Sequence, residues 1–126
     1  MRIDLPLEIY YTKNRKFRLN LNQYRNAHYY TLNNAKKTFQ NQLIQELKKY
    51  KKFNKKVDLT YTLYPKTKRL VDTNNVLTIV DKFFQDAMVE AEILEDDNWK
   101  FVNTTTFKFG GKDKDKPRVE VEVKET

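Results

Sequence analysis

From Asp72 to Ala91 the apolar residues Val76, Ile79, Val80, Phe83, Phe84, Ala87 and Met88 recur at steps of three and four without a miss. That period gathers all seven on one side of an α-helix and leaves the other side polar, so the segment must lie against something apolar. Candidates stand on either side of it. Val57 to Tyr64 alternates Val57, Leu59, Tyr61 and Leu63 with Asp58, Thr60, Thr62 and Tyr64, the two-residue period of a strand with one buried face, and Pro65 ends it. Arg2 to Tyr11 reads as another strand, Trp99 to Phe109 is rich in β-formers, and Pro117 to Lys124 alternates as VEVEV. Gly110-Gly111 and the charged Lys112 to Lys116 predict a turn between these last two, which makes them a hairpin. Lys13 to Tyr30 reads as an irregular basic and aromatic segment. A first helix is expected from Asn33 or Asn34 to about Phe53, with Phe39, Leu43, Leu47 and Tyr50 on its core stripe. The order β, loop, α, β, α, β, β predicts an α+β fold, a single mixed-sheet domain with two helices spanning residues 1–126.

Charge is segregated along the chain. Residues 1 to 71 hold 17 Lys/Arg against 4 Asp/Glu, residues 72 to 126 hold 8 against 13, and Asp72 to Asp97 alone contains eight acids and one base, Lys82. A basic surplus of that size suits phosphate neutralisation with release of condensed counterions, so nucleic acid is the expected partner. Lys48, Lys49, Lys51, Lys52, Lys55 and Lys56 fit either a phosphate-binding face or a merely solvated one. With no cysteine and a single histidine, His28, thiolate chemistry, disulfides and multi-histidine metal sites are excluded within one chain, and any metal must take oxygen ligands. No apolar run approaches the roughly 18 residues of a membrane span, and no leader is readable at the N-terminus. A cytoplasmic protein with no membrane partner and no small-molecule substrate is expected.

The acids are the candidate chemistry. Asp72 precedes the second helix, Asp81 lies on its polar side with Asn74, Thr78, Lys82 and Gln85, and Glu95-Asp96-Asp97-Asn98 follows it. Phosphodiester hydrolysis needs an activated water and compensation for charge on the transition state, and Mg²⁺ held by a few carboxylates supplies both. Each acid also has a plainer reading: Asp72 as a helix cap, Lys82 and Asp86 as a surface pair, the acidic loop as solvated. A concentrated acidic patch repels the phosphates that the basic half attracts, and divalent cations resolve that conflict.

At these residues the chain resembles the RusA-type Holliday junction resolvases, whose pattern is a short basic stretch, an Asp-x-Asp-Asn at a helix start, a helical Lys, and an Asp-Asp after the helix. The counterparts are Lys66 to Arg69, Asp72 to Asn75, Lys82 in DKFFQDAMVEA, and Asp96-Asp97 in ILEDDNW. The N-terminal LPL, the Asn/Arg/Tyr-rich segment and the closing FGGKDKDKPRVEVEV are also similar to the family. Asn74 stands where the family has its second Asp, and Lys82 lies about one helical turn farther from Asp72 than is typical; Asp81 is the leading substitute for the missing carboxylate. The resemblance implies a Mg²⁺-dependent endonuclease, with Mn²⁺ able to substitute, acting as a homodimer on branched DNA, chiefly four-way junctions. It implies Asp72 and Asp97 as catalytic metal ligands with Asp96 and Asp81 assisting, and Lys82 as the catalytic cation. Arg69, Lys68, Arg25, Arg18 and Lys13 are the residues expected on the DNA backbone. Tyr24, Tyr29, Tyr30 and Phe17 could stack on unpaired bases or pack in the core, His28 is expected on the surface, and Trp99 in the core. Such an enzyme suits a phage or prophage and the cytoplasm of its bacterial host. A non-catalytic nucleic-acid-binding protein, and a Mg²⁺ nuclease of different substrate preference, remain the alternatives.

Overall fold

Pro6 has no amide hydrogen to give to a ladder, and the first strand stops there. In the computed structural model, which describes residues 1–67 and 72–126, β1 (Arg2–Leu5) pairs antiparallel with β6 (Arg118–Glu125). The chain then turns away, and β2 (Glu8–Tyr10) forms a separate two-stranded sheet with β3 (Lys16–Arg18). The single strand expected over Arg2–Tyr11 is thus two strands in two sheets.

The helices begin earlier than the apolar pattern suggests. The Asn20 side chain accepts from the Gln23 amide at 2.8 Å and starts the short α1 (Leu21–Asn26). His28 Nδ1 accepts from the Tyr30 amide at 3.2 Å and caps α2 (Tyr29–Leu47). A capped donor outweighs the modest helix propensity of Asn33 and Asn34, so these sit inside α2 rather than at its start. The helix also ends at Leu47, short of Phe53. The second predicted helix, α3 (Thr73–Glu90), has the expected cap: the Asp72 side chain accepts from the Asn74 amide at 3.0 Å.

β4 (Val57–Tyr64) is the axis of a mixed four-stranded sheet of order β1-β6-β4-β5. It pairs parallel with β5 (Val102–Phe109), Tyr61 opposite Phe107, and antiparallel with β6, Tyr61 opposite Val121. The expected hairpin of the last two strands is therefore incorrect, because β4 lies between them. Its buried alternation, with Val57, Leu59, Tyr61 and Leu63 all inaccessible, is best covered with a strand on each side. α3 supplies the crossover that a parallel pair requires. The inner sheet face packs on Phe39, Leu43 and Leu47 of α2 and on Leu77, Val80, Phe83, Phe84 and Met88 of α3 in one core. No described helix is long and apolar enough to cross a membrane.

The segment that joins β5 to β6 must pass the end of β4, and Gly110 makes the crossing. Its amide donates to Leu63 O at 2.8 Å, and a Cβ built there would stand 2.4 Å from Tyr64 Cε1 and 2.8 Å from Thr62 Cγ2. The Tyr64 ring has little room to retreat, with the Arg118 guanidinium 4.2 Å from its centroid. Gly110→Ala is expected to cost about 1–3 kcal/mol as an overpacked contact, read as a lower midpoint in urea unfolding. An unchanged midpoint would show that Tyr64 yields freely.

Candidate active site

Asp81 is set by a contact between the sheet and α3. Tyr61 is fully buried on β4, wedged edge-on against Phe84 at 6.2 Å and Phe107 at 5.9 Å, and a buried phenol needs a partner for its hydroxyl. It donates to Asp81 Oδ1 at 2.5 Å, and Gln85, one turn along α3, donates to the same oxygen at 2.7 Å. Burial, with the nearby Asp81 charge, holds the Tyr61 phenol well above its usual range, so it remains a donor at any working pH. Burial likewise raises the Asp81 carboxyl; the two hydrogen bonds and Lys82 oppose the rise, and the charge of Asp97 adds to it. Asp81 is thus a half-buried, doubly hydrogen-bonded carboxylate, not the free helix-surface charge that its sequence position also allowed.

Asp97 stands in the loop after α3, and its charge bears on Asp81. Asp96 holds that loop: its Oδ1 accepts from the Asp97 amide at 2.7 Å and its Oδ2 from Asn98 Nδ2 at 2.9 Å. Asn98 Oδ1 then accepts from the Lys100 amide at 2.9 Å, and its carbonyl from the amides of Phe101 and Val102. The Asp97 carboxyl is raised by partial desolvation, then by Asp96 and by Asp86 on α3. The charges of Asp96 and Asp86 thus bear on Asp97, and that of Asp97 on Asp81. Asp86 is relieved by Lys36 of α2 at 3.7 Å, not by Lys82 as the helical spacing suggested.

Asp72 is not drawn into this group. It is exposed, its carboxylate caps α3, and nine residues of helix separate it from Asp81, about 13 Å along the axis. Lys82 is exposed beside Asp81, with Nζ 6.0 Å over the Tyr24 ring of α1. Lys13 lies between β2 and β3, Arg18 on β3 and Arg25 in the last turn of α1; all three are exposed and none pairs with a described carboxylate. Lys68 and Arg69 lie outside the described residues.

Mg²⁺ accepts oxygen donors and is commonly held by one or two carboxylates together with water and substrate phosphate. Asp81 and Asp97 suit it in donor type and in number, and like-charged neighbours are what a cation relieves. Among the described residues no group of three or more His, Asp or Glu side chains is assembled around a metal position. A scan against models of known protein families and a search of curated proteins find no match to this chain.

Tyr61 and Gln85 both hold Asp81, a role that the amino-acid pattern assigns to neither. Gln85 stands one turn beyond Asp81, a spacing that could have flagged it. Tyr61 carried a weaker sign, a phenol in a strand's buried register with no evident partner. Of the two readings open for Phe17 and Tyr24, packing is the one observed, and the expectation for Trp99 is corrected. Phe17 is buried and stacks on Phe83 at 5.8 Å, and Tyr24 is half-buried under Lys82, so neither is free to stack on bases. Trp99 is 73% exposed, not core, with Lys56 Nζ 5.5 Å over its ring. The lysine cluster is partly spent locally: Lys49 pairs with Glu46 and Lys52 with Glu95.

Proposed function

We propose that this protein is a Mg²⁺-dependent endodeoxyribonuclease that cuts branched DNA, four-way junctions foremost, by paired symmetric nicks. The observation that carries this reading is the half-buried Asp81 carboxylate, fixed on α3 by Tyr61 and Gln85, with the charge of Asp97 in the following loop bearing on it, on a chain of net charge +8. Divalent cation bound there would supply Lewis-acid charge and a more acidic water. Asp81 and Asp97 would hold it, Tyr61 and Gln85 fixing Asp81 in place. Asp96 shapes the loop that presents Asp97, and Asp72 serves α3 as its cap. Lys82 offers its charge to the phosphate, and Lys13, Arg18 and Arg25 to the flanking backbone.

A homodimer belongs to the same proposal, and β5 is the surface that suits it. Among the described residues the strand pairs with β4 alone; it is exposed at Asn103–Thr106 and at Phe109, and has one charge, Lys108. The opposite edge, β1, is four residues long and shielded by Arg2 and Asp4. A long, weakly charged edge invites pairing, and two copies of β5 running antiparallel about Thr106 would set Lys108 opposite Thr104 rather than opposite its own image. Since Asp97 lies just before β5, two sites would then flank one two-fold axis, as paired nicking requires.

The deciding experiment compares four-way, flap, duplex and single-stranded DNA in one cleavage assay with Mg²⁺ or Mn²⁺, alongside sedimentation of the free protein. Symmetric nicks in the four-way junction by a sedimenting dimer are expected. Intact junctions in both metals would leave a non-catalytic DNA-binding protein, and faster cutting of single strands a nuclease of other preference.

A further inference from the structure

Three aromatic rings stand out of the protein together at the start of α2. Tyr29 and Tyr30 are 64% and 65% exposed. Their centroids are 4.7 Å apart, and the His28 ring stacks on Tyr30 at 5.2 Å. His28 is held in place by its cap bond from the Tyr30 amide, so the cluster is built into the helix start. Most of the other aromatics are buried or half-buried; a close group of rings left in water marks a contact surface.

The charge around the rings says what kind. From Ile9 to Gln45 there is no Asp or Glu, and there are seven Lys or Arg. Lys16 pairs with Glu8 and Lys36 with Asp86; Lys13, Arg15, Arg18, Arg25 and Lys37 have no ion-pair partner among the described residues. Beside the rings runs a groove of about 260 Å³, lined by Tyr11, Lys16, Asn22, Asn26 and Thr31 among others. Asn26 and Thr31 flank the ring residues in the chain, so groove and rings adjoin. Asn26 Nδ2 donates to Asn22 Oδ1 at 3.0 Å, which leaves the Asn22 amide donors and the Asn26 carbonyl for a ligand. Flat rings want a π-face, an acid-free surface wants an anion, and amides match the edges of bases. A strand with unpaired bases offers all three.

We infer that His28, Tyr29 and Tyr30, with the adjoining amide-lined groove, form a platform on which unpaired bases stack, giving the protein a preference for opened strands over plain duplex. This rests on the nucleic-acid-binding reading above and deepens it. α1 links the platform to the carboxylate site, since it packs on α3 with Tyr24 under Lys82 and bears Arg25.

The test is the doubly substituted Tyr29→Ala/Tyr30→Ala protein, titrated against a single-stranded oligonucleotide carrying 2-aminopurine and against the matching duplex at several salt concentrations. Wild type is expected to change the 2-aminopurine emission and to bind the single strand about ten- to a hundredfold more tightly than the variant. Duplex affinity should change less than about twofold, and the salt slope should be the same because no charge is removed. Tyr29→Phe/Tyr30→Phe keeps the rings and should restore single-strand binding. If wild type binds neither oligonucleotide, the nucleic-acid reading itself fails. If it binds both and the alanine variant matches it on the single strand, the platform is refuted while that reading survives. A variant that instead loses self-association with unaltered DNA affinity would make the rings a protein contact, which also overturns the inference.

Discussion

Asp97→Asn is expected to leave a synthetic four-way junction uncut in Mg²⁺ while still binding it. Desolvation, Asp96 and Asp86 all disfavour charge at Asp97, so a neutral residue of the same shape fits the loop at least as well as the native one. The bonds that hold that loop run from the Asp97 amide, Asn98 and Lys100 to Asp96 and Asn98; none needs the Asp97 carboxylate. What the substitution removes is one of the two charges proposed to hold a divalent ion, and loss of a group that stabilises transition-state charge typically lowers the rate by about a hundredfold or more. Removing a negative charge from the face that meets phosphate should also tighten junction binding slightly. Gel-shift and cleavage assays on one labelled junction measure both. A variant that cuts at the wild-type rate would remove Asp97 from the chemistry, and one that neither cuts nor binds would make it a structural residue.

What could be read from the amino acids divides along a physical line. The periodic signals were reliable where burial is one-sided: α3, its Asp72 cap and the alternation of β4 appear as expected, because a run of apolar residues at helix or strand spacing has few ways to be buried. The pairing of strands was not legible. Val102–Phe109 and Arg118–Glu125 looked like neighbours across a Gly-Gly turn, yet β4 separates them, and nothing local records which long-range ladder a strand joins. The start of α2 was missed for a related reason, since it depends on one bond from the Tyr30 amide to His28 Nδ1. The same limit governs the site. Asp81, Asp96, Asp97 and Lys82 are candidates by type and order alone, whereas the bond from Tyr61 to Asp81 joins residues on a strand and a helix that only the fold brings together. Asp72 is named by the motif, and its carboxylate also caps the helix it begins.

Asp81→Asn should give a protein that melts higher at neutral pH and cuts about a hundredfold more slowly or worse. Burial raises the Asp81 carboxyl above its unfolded value of 3.8, so the folded protein binds that proton more tightly than the unfolded chain does. The stabilisation this provides is complete below the unfolded value and is lost as pH rises through the raised folded one. At neutral pH wild type therefore carries an ionised group in a place that disfavours it. Asparagine is neutral throughout, and its side-chain oxygen can accept from both Tyr61 and Gln85, as Asp81 Oδ1 does. In metal-free buffer the variant is expected to melt a few degrees above wild type at pH 7, with the gap closing as pH falls toward 4. Mg²⁺ should narrow the gap from the other side, because a cation that binds only the wild-type carboxylates stabilises only wild type. Calorimetry at two pH values, with and without Mg²⁺, reads all of this. A variant that melts lower at pH 7 would mean that the Asp81 charge holds the fold together through Tyr61 and Lys82. A gap indifferent to Mg²⁺ would mean that Asp81 faces no metal.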